Sequence, residues 1–284
     1  MKKRVYSAVP SPSRSTVLKL ALFICLALAA TVNIQAESDL TARFHSRYYE
    51  NIADQLYLTR EIPRNIELAI DYYKKAIAAE PERPGIHWKI TRCCWVLATK
   101  RSVSKEERLK HLREGIRFGK IAINTDTSNS NAFLWHALVH GDNALVKGVM
   151  NTIYMRTQIR EWLEKAVQLN PQNVNAILGL AGWYYHIPEF LGGDKAKTFQ
   201  LIEQAEKIDP LYTAIYIQKA QYLISEKKYD QAAAVLNHVL RVETPRLRND
   251  GAEDKATSQH LLDMLKTEGH LTSDQTPVTD STTG

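Results

Sequence analysis

The stretch Ala69-Ile-Asp-Tyr-Tyr-Lys-Lys-Ala-Ile-Ala-Ala-Glu-Pro81 decides the fold, because two of its alanines are seven positions apart and a proline follows five positions later. Residues seven apart lie on one face of an α-helix, and a proline is common just after a helix end. Degraded copies of this pattern end at Thr127, Pro171, Pro210 and Pro245. Such a period predicts stacked helix pairs, each of which depends on its neighbours for a complete core.

The first helix of each pair carries a second pattern, which is clearest at Ile177, Leu180, Ala181 and Tyr184. These residues share one helix face, and they combine large, small and aromatic side chains as the tetratricopeptide pattern requires. The sequence therefore predicts an all-α, tetratricopeptide-like helical solenoid of about five helix pairs. Insertions are expected between the paired helices at Lys100 to Lys105, Gly141 to Thr157 and Ile187 to Lys195.

The chain divides into three predicted parts. Residues 1–36 hold five basic residues, no acid and an apolar run from Leu20 to Ala30, which predicts a signal peptide. Its removal takes five positive charges from the net charge of +6 and leaves +1, which argues against nucleic acid as a partner. Residues 37–245 form the predicted solenoid. Residues 246–284 form a polar C-terminal tail that we expect to be largely disordered, apart from one short helix from Ala256 to Lys266.

The three cysteines give no sign of a disulfide framework. Cys25 lies in the apolar run of the leader, where lipid attachment is conceivable, but the bulky Phe23 and Ile24 before it argue against lipidation. Cys93 and Cys94 are adjacent on a predicted helix, and neighbouring cysteines pair only with strained geometry. We therefore expect both to be buried thiols.

Two strings of residues carry a family resemblance. They are Trp183-Tyr184-Tyr185-x-Ile187-Pro188 and Leu191-Gly192-Gly193-Asp194-Lys195-Ala196. Together with the repeats from Leu56 to Asp209, they resemble the T-component (TatT-like) family of bacterial TRAP transporters. The resemblance implies a helical periplasmic protein that associates with a solute-binding protein and helps to carry an apolar or organic-acid ligand for transport.

The function expected from this resemblance is that of an exported, periplasmic binding protein, with membrane association left open. The alternative is a general envelope scaffold that joins proteins and has no small-molecule ligand. Homo-oligomer formation also stays open. The two main hypotheses share one expectation, which is that function resides on the concave groove of the solenoid.

The groove is predicted from residues that lie just beside the packing seam of each first helix. Most are apolar, and Arg92 adds a cation that could pair with the carboxylate of a ligand. The alternative is a groove filled by the side chains of the protein itself. The predicted ligand or partner groove consists of Trp88, Arg92, Trp95, Leu134, Leu138, Leu178, Gly182, Tyr185 and His186.

Other motifs favour structural roles, and we predict no enzyme, no cofactor and no metal. His136 and His140 have the i, i+4 spacing of metal ligands, but no third ligand follows in a known pattern, so packing is the favoured interpretation. Gly192-Gly193-Asp194 lacks the lysine and hydroxyl residue of a phosphate loop, and is interpreted as a turn whose Asp194 caps a helix. No placed nucleophile with a base and an acid occurs.

Overall fold

A computed structural model describes residues 37–100, 102–243 and 248–271 of the chain. Every regular element within these residues is helical, which confirms the predicted all-α fold. None of the described helices is long and apolar enough to cross a membrane. The helices are α1 (37–58), α2 (Asn65–Ala79), α3 (His87–Thr99), α4 (Lys105–Thr125), α5 (Ser130–Lys147), α6 (Val149–Leu169), α7 (Val174–His186), α8 (Lys195–Ile208), α9 (Thr213–Ser225), α10 (Tyr229–Arg241) and α11 (Arg248–Thr267).

The helices stack in consecutive pairs, as the repeat predicts. Helices α3 and α4, α5 and α6, α7 and α8, and α9 and α10 each pack against one another, and α4 also packs against α5. The small residues of the repeat lie at these contacts, because Ala76, Ala166 and Ala205 on the second helices are fully buried. Ala137 and Ala181 on the first helices are fully buried too. Close approach at these alanines lets each pair share its core with the next.

Helix α11 extends the solenoid past residue 245, where we predicted its end. The short helix expected from Ala256 to Lys266 is part of this longer element. Its Leu262 and Leu265 are buried in a core cluster with residues of α9 and α10. The apolar residues along 261–265 therefore indicated a helix that packs against the solenoid, not a disordered tail. The predicted leader, with Cys25, and the tail after residue 271 lie outside the described residues.

Two of the predicted insertions shape the same side of the molecule. The one from Gly141 to Thr157 is no loop, because it lengthens α5 and α6 until they meet at Gly148. Gly148 has a φ of 112°, a backbone conformation that favours glycine. The insertion at Ile187 to Lys195 forms a short 3₁₀ turn, Glu189–Leu191, between α7 and α8.

An ionic cluster joins α1 to α2 and α3. Lys89 Nζ lies 2.8 Å from Glu50 Oε1 and 2.7 Å from Asp54 Oδ2, and Arg83 pairs with Glu50 as well. The Tyr73 hydroxyl donates a 2.6 Å hydrogen bond to Asp54. Because both carboxylates have partners on the neighbouring helices, the cluster holds the end of α1 over α3. That end carries Tyr57, which belongs to the site described next.

Candidate functional site

A cavity of about 790 Å³ occupies the concave side of the solenoid. The first helices α3, α5, α7 and α9 contribute its walls, and the extended start of α6 contributes a further side. The end of α1 and the start of α11 also reach it, at Tyr57 and Glu253. Most of the lining is apolar. A concave, mainly apolar cavity of this size with a few polar groups is the usual form of a small-molecule site.

Six of the nine residues predicted for the groove line this cavity. Trp88 does not line the cavity, although its ring centroid is 5.1 Å from the guanidinium carbon of Arg92, which does. Leu134 does not line the cavity, since it is fully buried in the core between α5, α6 and α7. The use of the cavity as a ligand or partner site stays a prediction. The six lining residues are Arg92, Trp95, Leu138, Leu178, Gly182 and His186.

The placement predicted for Tyr185 is wrong. Its ring stacks on Tyr222 with the centroids 3.9 Å apart, and its hydroxyl donates to the backbone oxygen of Tyr222 at 3.2 Å. Glu226 accepts from the same hydroxyl at 3.2 Å. These contacts turn the side chain toward the end of α9. Tyr222 and Gln218 line the cavity instead, joined by a 2.6 Å hydrogen bond.

Arg92 is held against aromatic rings. Its guanidinium carbon lies 3.5 Å from the centroid of the Tyr57 ring, a stacking distance for a cation on a π-face. No carboxylate within the described part of the chain forms a salt bridge with it, and its buried Nε has no hydrogen-bond partner there. Trp95 does not stack with Trp88 across Arg92, because it packs on Trp135 at 5.4 Å.

Acidic side chains lie at other points of the cavity wall. Burial raises the pKa of Asp142, while the Trp95 indole and Arg108 act in the opposite direction. Burial also raises the pKa of Asp254 on α11, whose Oδ2 accepts a 2.5 Å hydrogen bond from Thr213. A raised pKa means that the buried position disfavours the charged carboxylate. Arg92 therefore has no salt-bridge partner among the described residues, whereas Asp254 is hydrogen-bonded to Thr213.

Sequence reasoning missed the contributions of three elements to the cavity. Tyr57 precedes the first copy of the repeat, so the repeat spacing gave no sign that it would line the cavity. Thr152 and Arg156 lie in the insertion from Gly141 to Thr157, so the position of the insertion was the available signal. Asp254 lies in a segment that we expected to be tail, which hid its role. All of them enter the cavity because the solenoid curves.

The two histidines with metal-ligand spacing pack on a tryptophan. The rings of His136 and His140 lie 4.5 Å apart, and they lie 4.4 and 4.9 Å from Trp162. Burial lowers the pKa of His136 to about 3 and that of His140 to about 4. The described residues hold no group of three His, Cys, Asp or Glu side chains that could bind a metal ion. This arrangement is that of a packed core contact.

The remaining motifs have local roles. Asp194 caps α8, because its side chain accepts a 2.9 Å hydrogen bond from the amide of Lys197. Gly192 before it has a φ of 102° and forms the turn. Cys93 and Cys94 are buried free thiols, and burial raises the pKa of Cys93 to about 12. A thiol with so high a pKa is a poor nucleophile.

Stacked helix pairs around a concave cavity define a helical-repeat protein of the tetratricopeptide type. The crystal structure of a thermophilic TPR protein from Thermus thermophilus superimposes with a TM-score of 0.59 and covers 76% of this chain and 99% of that one. At 15% sequence identity, this likeness concerns the fold alone.

At the level of sequence, a family model described as "Regulator of microtubule dynamics protein 1-3" matches residues 50–190, just under half of the chain. The Bos taurus protein named Regulator of microtubule dynamics protein 1 is 28% identical over 137 residues, which are 48% of this chain and 41% of that protein. The Caenorhabditis elegans protein of the same name is 25% identical over 206 residues, which are 66% of this chain and 87% of that protein. The match thus spans less than half of the Bos taurus relative.

These similarities overturn the predicted resemblance to a bacterial TRAP T-component. The matching family and the relatives carry a different name, and the relatives come from animals. The predicted roles in TRAP transport or as a bacterial envelope scaffold are wrong for the same reason. The predicted exported, periplasmic location is wrong too, because it rested on the resemblance to a bacterial transporter component, whereas the relatives that match are animal proteins of a different name. The strings around Gly192 and Asp194 reflect turn and capping chemistry, which unrelated helical repeats can share.

Proposed function

We propose that this chain is a non-catalytic binding protein of the "Regulator of microtubule dynamics protein 1-3" family, and that its concave cavity binds an elongated apolar molecule with an acidic group. The family assignment is supported by the match over residues 50–190. The ligand class is supported by the cavity itself, in which apolar walls surround an arginine without a carboxylate partner.

The single observation that carries this proposal is the state of Arg92. Stacking on Tyr57 holds the guanidinium in one orientation and leaves its edge donors available. Arg92 is half-buried, and its Nε is fully buried without a hydrogen-bond partner among the described residues. A cation partly removed from water gains from an anionic partner. A ligand carboxylate or phosphate would supply that partner through charge-assisted hydrogen bonds.

The walls favour an apolar body for the ligand. Leu138, Leu178 and Ile217 line the cavity from three successive first helices. Burying about 300 Å² of apolar ligand surface at about 25 cal/mol per Å² gives roughly 7 kcal/mol before ordering costs. Those costs take up much of this energy, so we expect dissociation constants of about micromolar size.

The test is a titration of tryptophan fluorescence with hexadecanoic acid and with hexadecanol. Trp95 and Trp135 lie on the cavity wall and report on occupancy. We expect Arg92→Gln to weaken binding of the acid by about tenfold to a hundredfold, because a hydrogen bond to a charged group contributes about 1.5 to 3 kcal/mol. Binding of the alcohol should change little. Trp95→Ala should weaken both by removing apolar contact.

Arg117→Gln is the matched control for Arg92→Gln. The Arg117 guanidinium also stacks on an aromatic ring, 4.6 Å from the Phe118 centroid, but it is exposed on the outer helix α4. This variant should bind the acid as the unmodified chain does. Equal loss of acid and alcohol binding in Arg92→Gln, or no response of the fluorescence to either compound, would contradict the proposal.

A second candidate function follows from the relatives' name, which assigns them to the regulation of microtubule dynamics. We extend that role to this chain as part of the proposal, since the matched residues 50–190 include the wall formed by α3, α5, α6 and α7. Adding the chain to polymerising tubulin should alter the rates of growth and shortening, measured by light scattering. Comparing these rates for the unmodified chain and for Arg92→Gln shows whether ligand binding in the cavity affects microtubule growth and shortening. Unchanged rates at equimolar protein would contradict this role.

A further inference from the structure

The first half of helix α11 lies on the concave side of the solenoid, at the cavity. It lines the cavity at Glu253 and Asp254, and Glu253 also lines a second, neighbouring cavity of about 880 Å³. The opposite wall of the second cavity comes from the first two helix pairs, at Arg60 just after α1 and at Thr99 at the end of α3. This half of α11 therefore faces the start of the solenoid across a gap.

The two halves of α11 are held by different contacts. In the second half, Leu262 and Leu265 are buried in a core cluster with residues of α9 and α10. In the first half, the buried residues are Gly251 and Ser258, with the half-buried Asp254 between them. The Ser258 hydroxyl is buried without a hydrogen-bond partner among the described residues, which weakens the packing there. Local opening occurs where few apolar contacts hold a segment, so the first half is the part of α11 that can move.

Asp254 ties the first half of α11 to the solenoid. Its Oδ2 accepts a 2.5 Å hydrogen bond from Thr213, a buried residue at the start of α9. The positive charge of Arg60 attracts the same carboxylate and acts to lower its pKa, against the larger opposing effect of burial. Both contacts are polar, so an anion that competes for the arginine weakens the tie.

The acids of α11 lie beside the arginines that the proposed ligand would use. The Tyr57 ring contacts two guanidiniums, because the guanidinium carbon of Arg92 lies 3.5 Å and that of Arg60 lies 4.9 Å from its centroid. Both arginines line the cavity together with Glu253 and Asp254. Carboxylates that share a site repel one another, so a ligand carboxylate at these arginines is opposed by the acids of α11.

We propose that residues 251–258 form an acidic strap that restricts the cavity, and that the acidic group of a bound ligand displaces this strap. The inference rests on the ligand class given under the proposed function. The second half of α11 stays packed on α9 and α10 and serves as the anchor. Because binding and opening are coupled, removing the charge of the strap favours the ligand.

The double variant Glu253→Gln/Asp254→Asn tests the charge of the strap. Both substitutions keep the shape of the side chain, and the amide oxygen at position 254 can still accept from Thr213. We expect the variant to bind hexadecanoic acid about threefold to tenfold more tightly, since it removes two like charges from the ligand's surroundings. Hexadecanol binding should stay within about twofold. Titration of tryptophan fluorescence measures both.

Asp263→Asn/Glu268→Gln is the matched control. It removes the same two charges from exposed positions on the second half of α11 and just beyond it, and neither residue lines the cavity. Binding of the acid and of the alcohol should stay within about twofold of the unmodified chain, because exposed charges farther away are screened by salt. Equal tightening of acid binding in the two double variants would assign the effect to net charge and overturn the proposal.

Hydrogen exchange measured by mass spectrometry follows the strap itself. With saturating hexadecanoic acid, the amides of residues 251–258 should exchange at least about tenfold faster than in the free chain. The amides of residues 261–267 should keep their rates, since Leu262 and Leu265 hold that half in place. Slower exchange at residues 251–258 would overturn the proposal, because it would show that α11 closes over the ligand.

The strap and the ligand class fail in different ways. Equal acid binding by the unmodified chain and by Glu253→Gln/Asp254→Asn, with Arg92→Gln weakening it, would leave the ligand class standing and overturn the strap. Absence of acid and alcohol binding in both chains would contradict the proposed function and the strap with it. Acid binding that appears only in the double variant would support both.

Discussion

Gly193→Ala should lower the free energy of unfolding by about 2 to 3 kcal/mol, the upper range for overpacking a tight site. A Cβ at this position would lie 1.7 Å from the carbonyl oxygen of Ile187 and 3.1 Å from the carbonyl carbon of Pro188. These are backbone atoms, so no side chain can rotate away. Two backbone hydrogen bonds hold the turn closed. The Gly193 amide donates to the carbonyl oxygen of Pro188, and the Asp194 amide donates to the carbonyl oxygen of Tyr184.

Urea denaturation of Gly193→Ala beside Gly141→Ala measures this effect. Gly141 is inside α5, and a Cβ there meets no heavy atom within 4 Å. Alanine is the better helix former by about 1 kcal/mol, so the control should be as stable as the unmodified chain or more stable. Gly193→Ala should also weaken ligand binding, since Ile187 lines the cavity. Matching denaturation midpoints in the two variants would show that the turn can relax.

Acid should destabilise the fold through the paired histidines of α5. In the folded chain, burial, with a smaller contribution from the positive charges of Lys120 and Lys147, lowers the pKa of His136 to about 3 and that of His140 to about 4. In the unfolded chain both groups take up protons near pH 6.5. Between about pH 6.5 and 4 the unfolded state therefore binds up to two more protons than the folded state, and stability falls as the pH falls.

The expected loss near pH 5 is about 2 to 3 kcal/mol per pH unit for the two groups together. The measurement is the free energy of unfolding in urea at several pH values from 8 to about 5. His136→Gln and His140→Gln should each remove about half of this slope, with pH 8 as the internal reference for the cost of the substitution itself. If the slope of the unfolding free energy against pH stays unchanged in both variants, the acid sensitivity comes from other groups, for instance the buried His87, whose pKa burial also lowers.

The residue spacing was sufficient for the helical repeat because each contact in it is local. The alanines at positions 69, 76 and 181 must lie where neighbouring helices cross, and the structure buries all three completely. Asp194 as a helix cap followed from its own side chain and the turn before it. The Gly192-Gly193 string wrongly indicated a family resemblance, because the need for a tight turn is enough to explain the two glycines.

The site was predictable only in part. Arg92 and Trp95 were found because they lie one position off the packing seam, and on α3 that position faces the concave side. Tyr185 was misplaced because a stacking partner on the next pair, Tyr222, draws its ring away. Leu134 was misplaced because α6 and α7 cover it, and spacing along α5 carries no information about that cover.

The sequence by itself determined the helical repeat, the small residues at which its helices pack, and where the repeat is interrupted, since these properties depend on neighbours within a few turns. Only the tertiary structure decided that the solenoid curves enough to bring Tyr57 of α1 and Asp254 of α11 to one cavity. It also decided that the Arg92 guanidinium stacks on the Tyr57 ring. Curvature sums small rotations over all the helix pairs, and no single stretch of sequence specifies that sum.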